Sequence, residues 1–107
     1  MIIHMTDKRT YNHISPSGHV EIQEILTPTL EVTGDGVIRV IFYMGEVEMV
    51  CLYYEKAKKG WTNKPIMPRA WRCVESKVSD ATIYDQGLIE PKELVGWGQD
   101  LIIKNGY

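Results

Sequence analysis

Two runs rich in β-branched and aromatic residues, Val37 to Tyr43 and Glu46 to Tyr54, flank the dipeptide Met44-Gly45. Such side chains suit the pleated, half-buried surface of a strand, and a glycine between two such runs marks a reversal, so the segment predicts a β-hairpin. With Met44-Gly45 as a two-residue loop, Tyr43 faces Glu46, Phe42 faces Val47, Val40 faces Met49 and Ile38 faces Cys51. That register collects Ile38, Val40, Phe42, Val47, Met49 and Cys51 on one wholly apolar face. The other face takes Arg39, Ile41, Tyr43, Glu46, Glu48 and Val50, with Arg39 diagonal to Glu48. A three-residue loop with Gly45 at positive φ in a bulge suits the turn chemistry better, because methionine disfavours positive φ, but it mixes glutamates into the apolar face. Hydrophobic pattern selects the first register and turn chemistry the second.

Frequent turn residues keep the remaining elements equally short. Ser15-Pro16-Ser17-Gly18, Thr27-Pro28, Gly34-Asp35-Gly36, Gly60, Asn63 to Pro68, Gly87 and Asn105-Gly106 all break the chain. Between them Val20 to Leu26, Leu30 to Thr33, Ala70 to Val78 and Thr82 to Tyr84 are strand candidates. Pro91 suits the first turn of a helix, and Leu94, Trp97 and Leu101 recur at helical spacing. Gly96 and Gly98 would each cost about 1 kcal/mol inside a helix, and Leu101-Ile102-Ile103 reads as a strand, so a short helix followed by a strand is expected.

At 107 residues the chain has the size of one domain, residues 1–107. The expected fold is mainly β: a small antiparallel barrel or sandwich with one short helix near the C-terminus. An α+β arrangement, an antiparallel sheet with a C-terminal helix, is the alternative. Hydrophobic residues at 44% and charged residues at 24% match a globular chain and exclude the charge-rich composition of disorder. The apolar runs are far shorter than the roughly 20 residues of a membrane helix. The N-terminal Met-Ile-Ile-His-Met lacks the basic leader and apolar core of a secretory signal, so a cytoplasmic location is expected.

Catalytic and metal-binding patterns are weak. Cys51 and Cys73 are separated by a spacing that fits neither Cys-x-x-Cys nor a zinc site, and both fall in strand-like segments, which predicts buried free thiols. His13 and His19 flank Ser17, but no strand-to-helix elbow and no orienting carboxylate accompany them, and with His4 they make no recognisable ligand set. Thr33-Gly34-Asp35-Gly36 lacks the Lys-Ser or Lys-Thr of a phosphate loop and reads as a turn. Glu46 and Glu48, two residues apart on one strand face, read as a solvated surface. No catalytic residue, metal ligand or cofactor is expected, and an enzyme with an unrecognised site ranks third among the functions.

Charge distribution stands out. Residues 10–55 carry −6, residues 56–72 carry +6 and residues 73–107 carry −3, although the chain sums to −2. The basic block holds Lys56, Lys58, Lys59, Lys64, Arg69 and Arg72 together with Trp61 and Trp71. Basic side chains beside exposed aromatics neutralise phosphates and stack bases in single-strand binding, so these eight residues are nucleic-acid candidates. The competing reading has both tryptophans plugging the ends of the core. The acidic hairpin face, with Arg39, Ile41, Tyr43, Glu46 and Glu48, suits docking to a basic protein. The expected function is therefore a small non-enzymatic protein-binding module, an inhibitor or accessory factor acting on a basic or nucleic-acid-handling partner. A nucleic-acid-binding module using Lys56 to Arg72 is the alternative, self-association is compatible with either, and no membrane partner is expected.

Overall fold

The computed structural model describes residues 1–14, 21–56, 71–85 and 89–107. Six strands, β1 (Ile2–His4), β2 (Arg9–Ile14), β3 (Glu21–Val32), β4 (Val37–Met44), β5 (Val47–Lys56) and β6 (Trp71–Val78), form one antiparallel sheet. A single turn, α1 (Thr82–Asp85), and a 14-residue helix, α2 (Pro91–Lys104), follow. The sheet order is β1-β3-β4-β5-β6, with β2 pairing β3 alongside β1. The expected antiparallel β architecture with a C-terminal helix is present. The sheet does not close, however, so the arrangement is an open sheet carrying a helix on one face rather than a barrel or sandwich.

The two separate strands expected around Thr27-Pro28 are one, β3, because Pro28 is placed where a missing N–H costs little. Its carbonyl accepts from Met5 N at 3.3 Å, so its backbone polar groups face the gap between β1 and β2 and not the β4 ladder. Gly34 (φ 82) and Gly36 (φ 86) make the β3–β4 turn, where Asp35 Oδ1 accepts from Val37 N at 3.0 Å. The expected turn at Thr33 to Gly36 is therefore present.

The β4–β5 hairpin exists as expected but in neither proposed register. Met44 pairs Val47, so the loop is Gly45-Glu46, with Gly45 at φ 62 in the first loop position that primed hairpin turns require to be positive. Tyr43 then faces Glu48, and a bulge shifts the ladder so that Phe42 faces Val50, Val40 faces Leu52 and Ile38 faces Tyr54. The extra residue, Met49, reverses the sidedness of the rest of β5. Val50, Leu52 and Tyr54 therefore join Ile38, Val40 and Phe42 in the core, while Cys51 and Tyr53 turn to the opposite face.

Helix α2 covers the core face through Leu94, Trp97, Gly98, Leu101 and Ile102, all buried at the i, i+3, i+4, i+7, i+8 spacing of one helical stripe. The strand expected at Leu101 to Ile103 is thus the last turns of this helix. The glycines that argued against a helix are explained by packing: a Cβ on Gly98 would overlap the Tyr54 hydroxyl and lie 2.8 Å from Tyr54 Cζ. Without it, Tyr54 donates to Val95 O at 2.8 Å from beneath the helix. Phe42 and Trp97 meet with ring centroids 5.1 Å apart, and the Arg9 guanidinium lies 4.5 Å from the Trp97 ring centre. Lys104 Nζ reaches Asp7 Oδ1 at 2.7 Å, tying the helix end to the β1–β2 connection. The strand expected at Thr82 to Tyr84 is α1 instead, because Asp80 Oδ1 accepts from Thr82 N at 3.0 Å and from its hydroxyl, in the manner of an N-cap.

Candidate functional site

Alternation along each strand sends half of its side chains to the face that α2 leaves bare. This open face receives Ile2 and His4 from β1, Thr27, Thr29 and Glu31 from β3, and Arg39, Ile41 and Tyr43 from β4. Strand β5 adds Glu48, Cys51, Tyr53 and Glu55, and β6 adds Glu75 and Lys77. Four of the five hairpin residues singled out for protein binding, Arg39, Ile41, Tyr43 and Glu48, share this face, and Glu46 lies in the loop at its end.

Their roles differ from the expected ones. Arg39 does not reach toward Glu48; it faces Tyr53 on β5, with its guanidinium 5.9 Å from that ring centre, and bonds the Glu31 carboxylate on β3. The Glu31 hydrogen bond raises the guanidinium pKa well above its ordinary value, so Arg39 stays charged and committed to a structural pair. Lys77 Nζ lies 5.2 Å from the Tyr53 ring centre, and these long side chains roof the centre of the face. Ile41 and Cys51, paired across β4 and β5, are consequently buried at 9% and 6% exposure, which removes Ile41 from any contact surface. Val50, expected on this face, is in the core.

At the Gly45 end the face is open. A depression of about 370 Å³ is lined by His4, Thr27, Thr29, Tyr43, Gly45 and Glu46. Thr29 Oγ1 and His4 Nδ1 lie 3.4 Å apart, and beside the depression Glu48 Oε2 accepts from Ser79 Oγ at 3.3 Å. Glu46 and Glu48 are exposed and Tyr43 is half-buried. Among the described residues no lysine or arginine lines the depression. Arg39, two same-face positions along β4, is already tied to Glu31. The corner therefore offers a tyrosine ring, two hydroxyls and an imidazole that can each donate or accept, and two acceptor carboxylates.

The basic block divides differently. Lys58, Lys59, Trp61, Lys64 and Arg69 lie outside the described residues. Lys56 and Arg72 are exposed, but Trp71 is 8% exposed in the core cluster, its carbonyl accepting from Gln99 Nε2 at 2.8 Å. Lys56 Nζ stands 6.0 Å from the Trp71 ring centre. Trp71 therefore plugs the end of the core, as the competing reading had it, and its ring is not open to a stacked base.

Among the described residues no cluster of three or more metal-ligating side chains occurs, and no helix is long and apolar enough to cross a membrane. Both cysteines are free, Cys51 buried and Cys73 half-buried, and burial raises both thiol pKa values. Of the histidines, only His4 joins a described depression; His13 lies in β2, and His19 is outside the described residues. Sequence reasoning missed His4, Thr27, Thr29 and Tyr53 on the open face. The first sits in a three-residue strand too short to show alternation, the threonines flank a proline read as a turn, and Tyr53 depends on the bulge. The chain matches no protein-family model, curated protein or solved structure.

Proposed function

We propose that this chain is a non-enzymatic protein-binding module, an inhibitor or accessory factor, whose open sheet face docks a basic segment of a partner such as a nucleic-acid-handling protein. The observation that supports it is the corner at the Gly45 turn, where Tyr43 and Glu46 line a depression, Glu48 stands opposite Tyr43, and no described lysine or arginine is in the lining. Tyrosine is enriched where interfaces concentrate energy, because its ring buries area while its hydroxyl still finds a partner. Exposed acids beside it, Glu46 and Glu48, speed and select association with a positive surface. The burial of Trp71 counts against the nucleic-acid alternative, since stacking needs an open ring.

The test begins with capture of binders from the native host on the wild-type chain, followed by surface plasmon resonance with the purified partner. Tyr43→Ala is expected to cost at least about 2 kcal/mol of affinity, chiefly through faster dissociation. Glu46→Gln and Glu48→Gln are expected to slow association and flatten its salt dependence. Retention of full binding by the triple variant, or its loss on substituting Lys58 and Lys59 instead, defeats the proposal and favours the basic block.

A further inference from the structure

Strand β6 forms an edge of the described sheet. Strand β6 pairs only β5 among the described residues, and Arg72 and Val74 to Ser79 are exposed, with Val74 and Val78 at 43% and 45%. Ser79 donates its N–H to Met49 O at 2.8 Å, which sets the phase of the ladder: Lys77 and Glu75 turn their backbone groups toward β5, and Ser76 and Val78 turn theirs outward. An outward row of N–H and C=O groups next to exposed valines is a template for another strand.

Natural edges commonly carry a lysine and a bulge to discourage such pairing, and β6 has both: Lys77, and a bulge at Val74. The charge pattern answers that objection. Two copies joined edge to edge are related by a two-fold axis normal to the sheet, which keeps each side chain on its own face and centres the pairing on one residue. Centred on Glu75 or on Lys77, the pairing puts a charge against its own copy. Centred on Val74, both charges face uncharged residues. Centred on Ser76, Glu75 faces Lys77 of the second copy and Lys77 faces its Glu75, while Val74 faces Val78 in both directions. This is also a register in which the outward groups of Ser76 meet each other across the axis. Charge, apolar exposure and hydrogen-bond phase thus select one arrangement.

We infer that a second copy of this chain adds to the β6 edge, antiparallel and centred on Ser76, continuing the sheet across the two-fold axis. The depression at the Gly45 turn is lined from β1, β3, β4 and the turn itself, and of the acidic corner Glu48 approaches this edge, through Ser79 Oγ at 3.3 Å; the self-pairing rests on the β6 residues and not on the docking proposal.

Sedimentation equilibrium of the full chain over a concentration series up to about 1 mM is expected to show reversible dimerisation that weakens with salt. Lys77→Glu turns both attractive pairs into repulsive ones and is expected to weaken the dimer about tenfold or more. Glu75→Lys combined with Lys77→Glu restores opposite charges in the same register and is expected to recover the wild-type constant to within about threefold. Ser76→Pro removes an outward N–H while leaving the β5 ladder intact, and is expected to abolish pairing with the far-ultraviolet circular dichroism unchanged. A wild-type chain that stays monomeric throughout the series overturns the inference. So does a dimer indifferent to Lys77→Glu, or one that the double exchange fails to restore.

Discussion

Two glycines, two residues apart in one helix, should respond to the same substitution with opposite signs. Gly98 lies over Tyr54, and an alanine Cβ there would overlap the hydroxyl and approach Cζ to 2.8 Å. Gly98→Ala gains about 1 kcal/mol of helix propensity. Against this, overpacking costs about 1 to 3 kcal/mol, and displacing the Tyr54 hydroxyl from Val95 O leaves a buried donor unsatisfied at a further cost of about 1 to 3 kcal/mol. The net expectation is a loss of about 1 to 5 kcal/mol, a large part of a margin of roughly 5 to 15. Gly96 has nothing within 4 Å of an added Cβ, so Gly96→Ala should keep its propensity gain and stabilise by about 0.5 to 1 kcal/mol.

Urea denaturation followed by circular dichroism measures both changes on one curve, with the slope unchanged if neither variant alters the surface exposed on unfolding. Tyr54→Phe removes the closest atom but leaves Cζ, so Gly98→Ala should cost less in that background, with a coupling of about 0.5 to 3 kcal/mol. A Gly98→Ala variant as stable as the wild type, or additive with Tyr54→Phe, would refute the close approach and with it the explanation of why this helix tolerates its glycines.

Phe42→Ala, at a fully buried position with its ring tilted against Trp97, should cost about 3 to 5 kcal/mol and shift Trp97 emission, both read from the same denaturation series. Native Cys51 and Cys73 should react with iodoacetamide at pH 8 more slowly than in denaturant, because burial holds both thiols protonated there; equal rates would contradict that burial. The Asp35 and Asp80 carboxyls are held below their ordinary pKa by hydrogen bonds, Asp35 chiefly from Thr33 and Asp80 chiefly from Thr82. A depressed carboxyl contributes stability that is present above the unfolded value of about 3.9 and lost as pH falls through the folded one, so the urea midpoint should drop below about pH 4. Asp35→Asn with Asp80→Asn should flatten that drop.

The elements legible in the sequence were those whose cause is local. Strand-forming residues on either side of a glycine located the hairpin, and Asp35 between two glycines located the preceding turn. Leu94, Trp97 and Leu101 located the helix. The misread elements each depend on a partner distant in the chain. Pro28 reads as a break until Met5 is known to lie against its carbonyl side, and Gly98 reads as a helix breaker until Tyr54 is known to lie beneath it. Thr82 to Tyr84 reads as a strand because its β-branched residues outweigh a single Asp80 cap in any local tally.

The open face shows the same division within one hairpin. The true loop, Gly45-Glu46, differs from the assumed Met44-Gly45 by one position, which moves the pairing by two residues and preserves sidedness, so Tyr43 and Glu48 were placed together correctly from pattern alone. Beyond the bulge at Met49 sidedness reverses, and every inference about the far part of β5 reverses with it. The apolar run Met49 to Leu52 concealed this, because a run apolar at every position reads equally well from either face. Core packing decides: with the bulge, Tyr54 points at Gly98 and fills the space beneath α2, and Tyr53 is left to lie between Arg39 and Lys77. The same bulge that seats the helix thus also sets Tyr53 beside Arg39 and Lys77 over the centre of the open face.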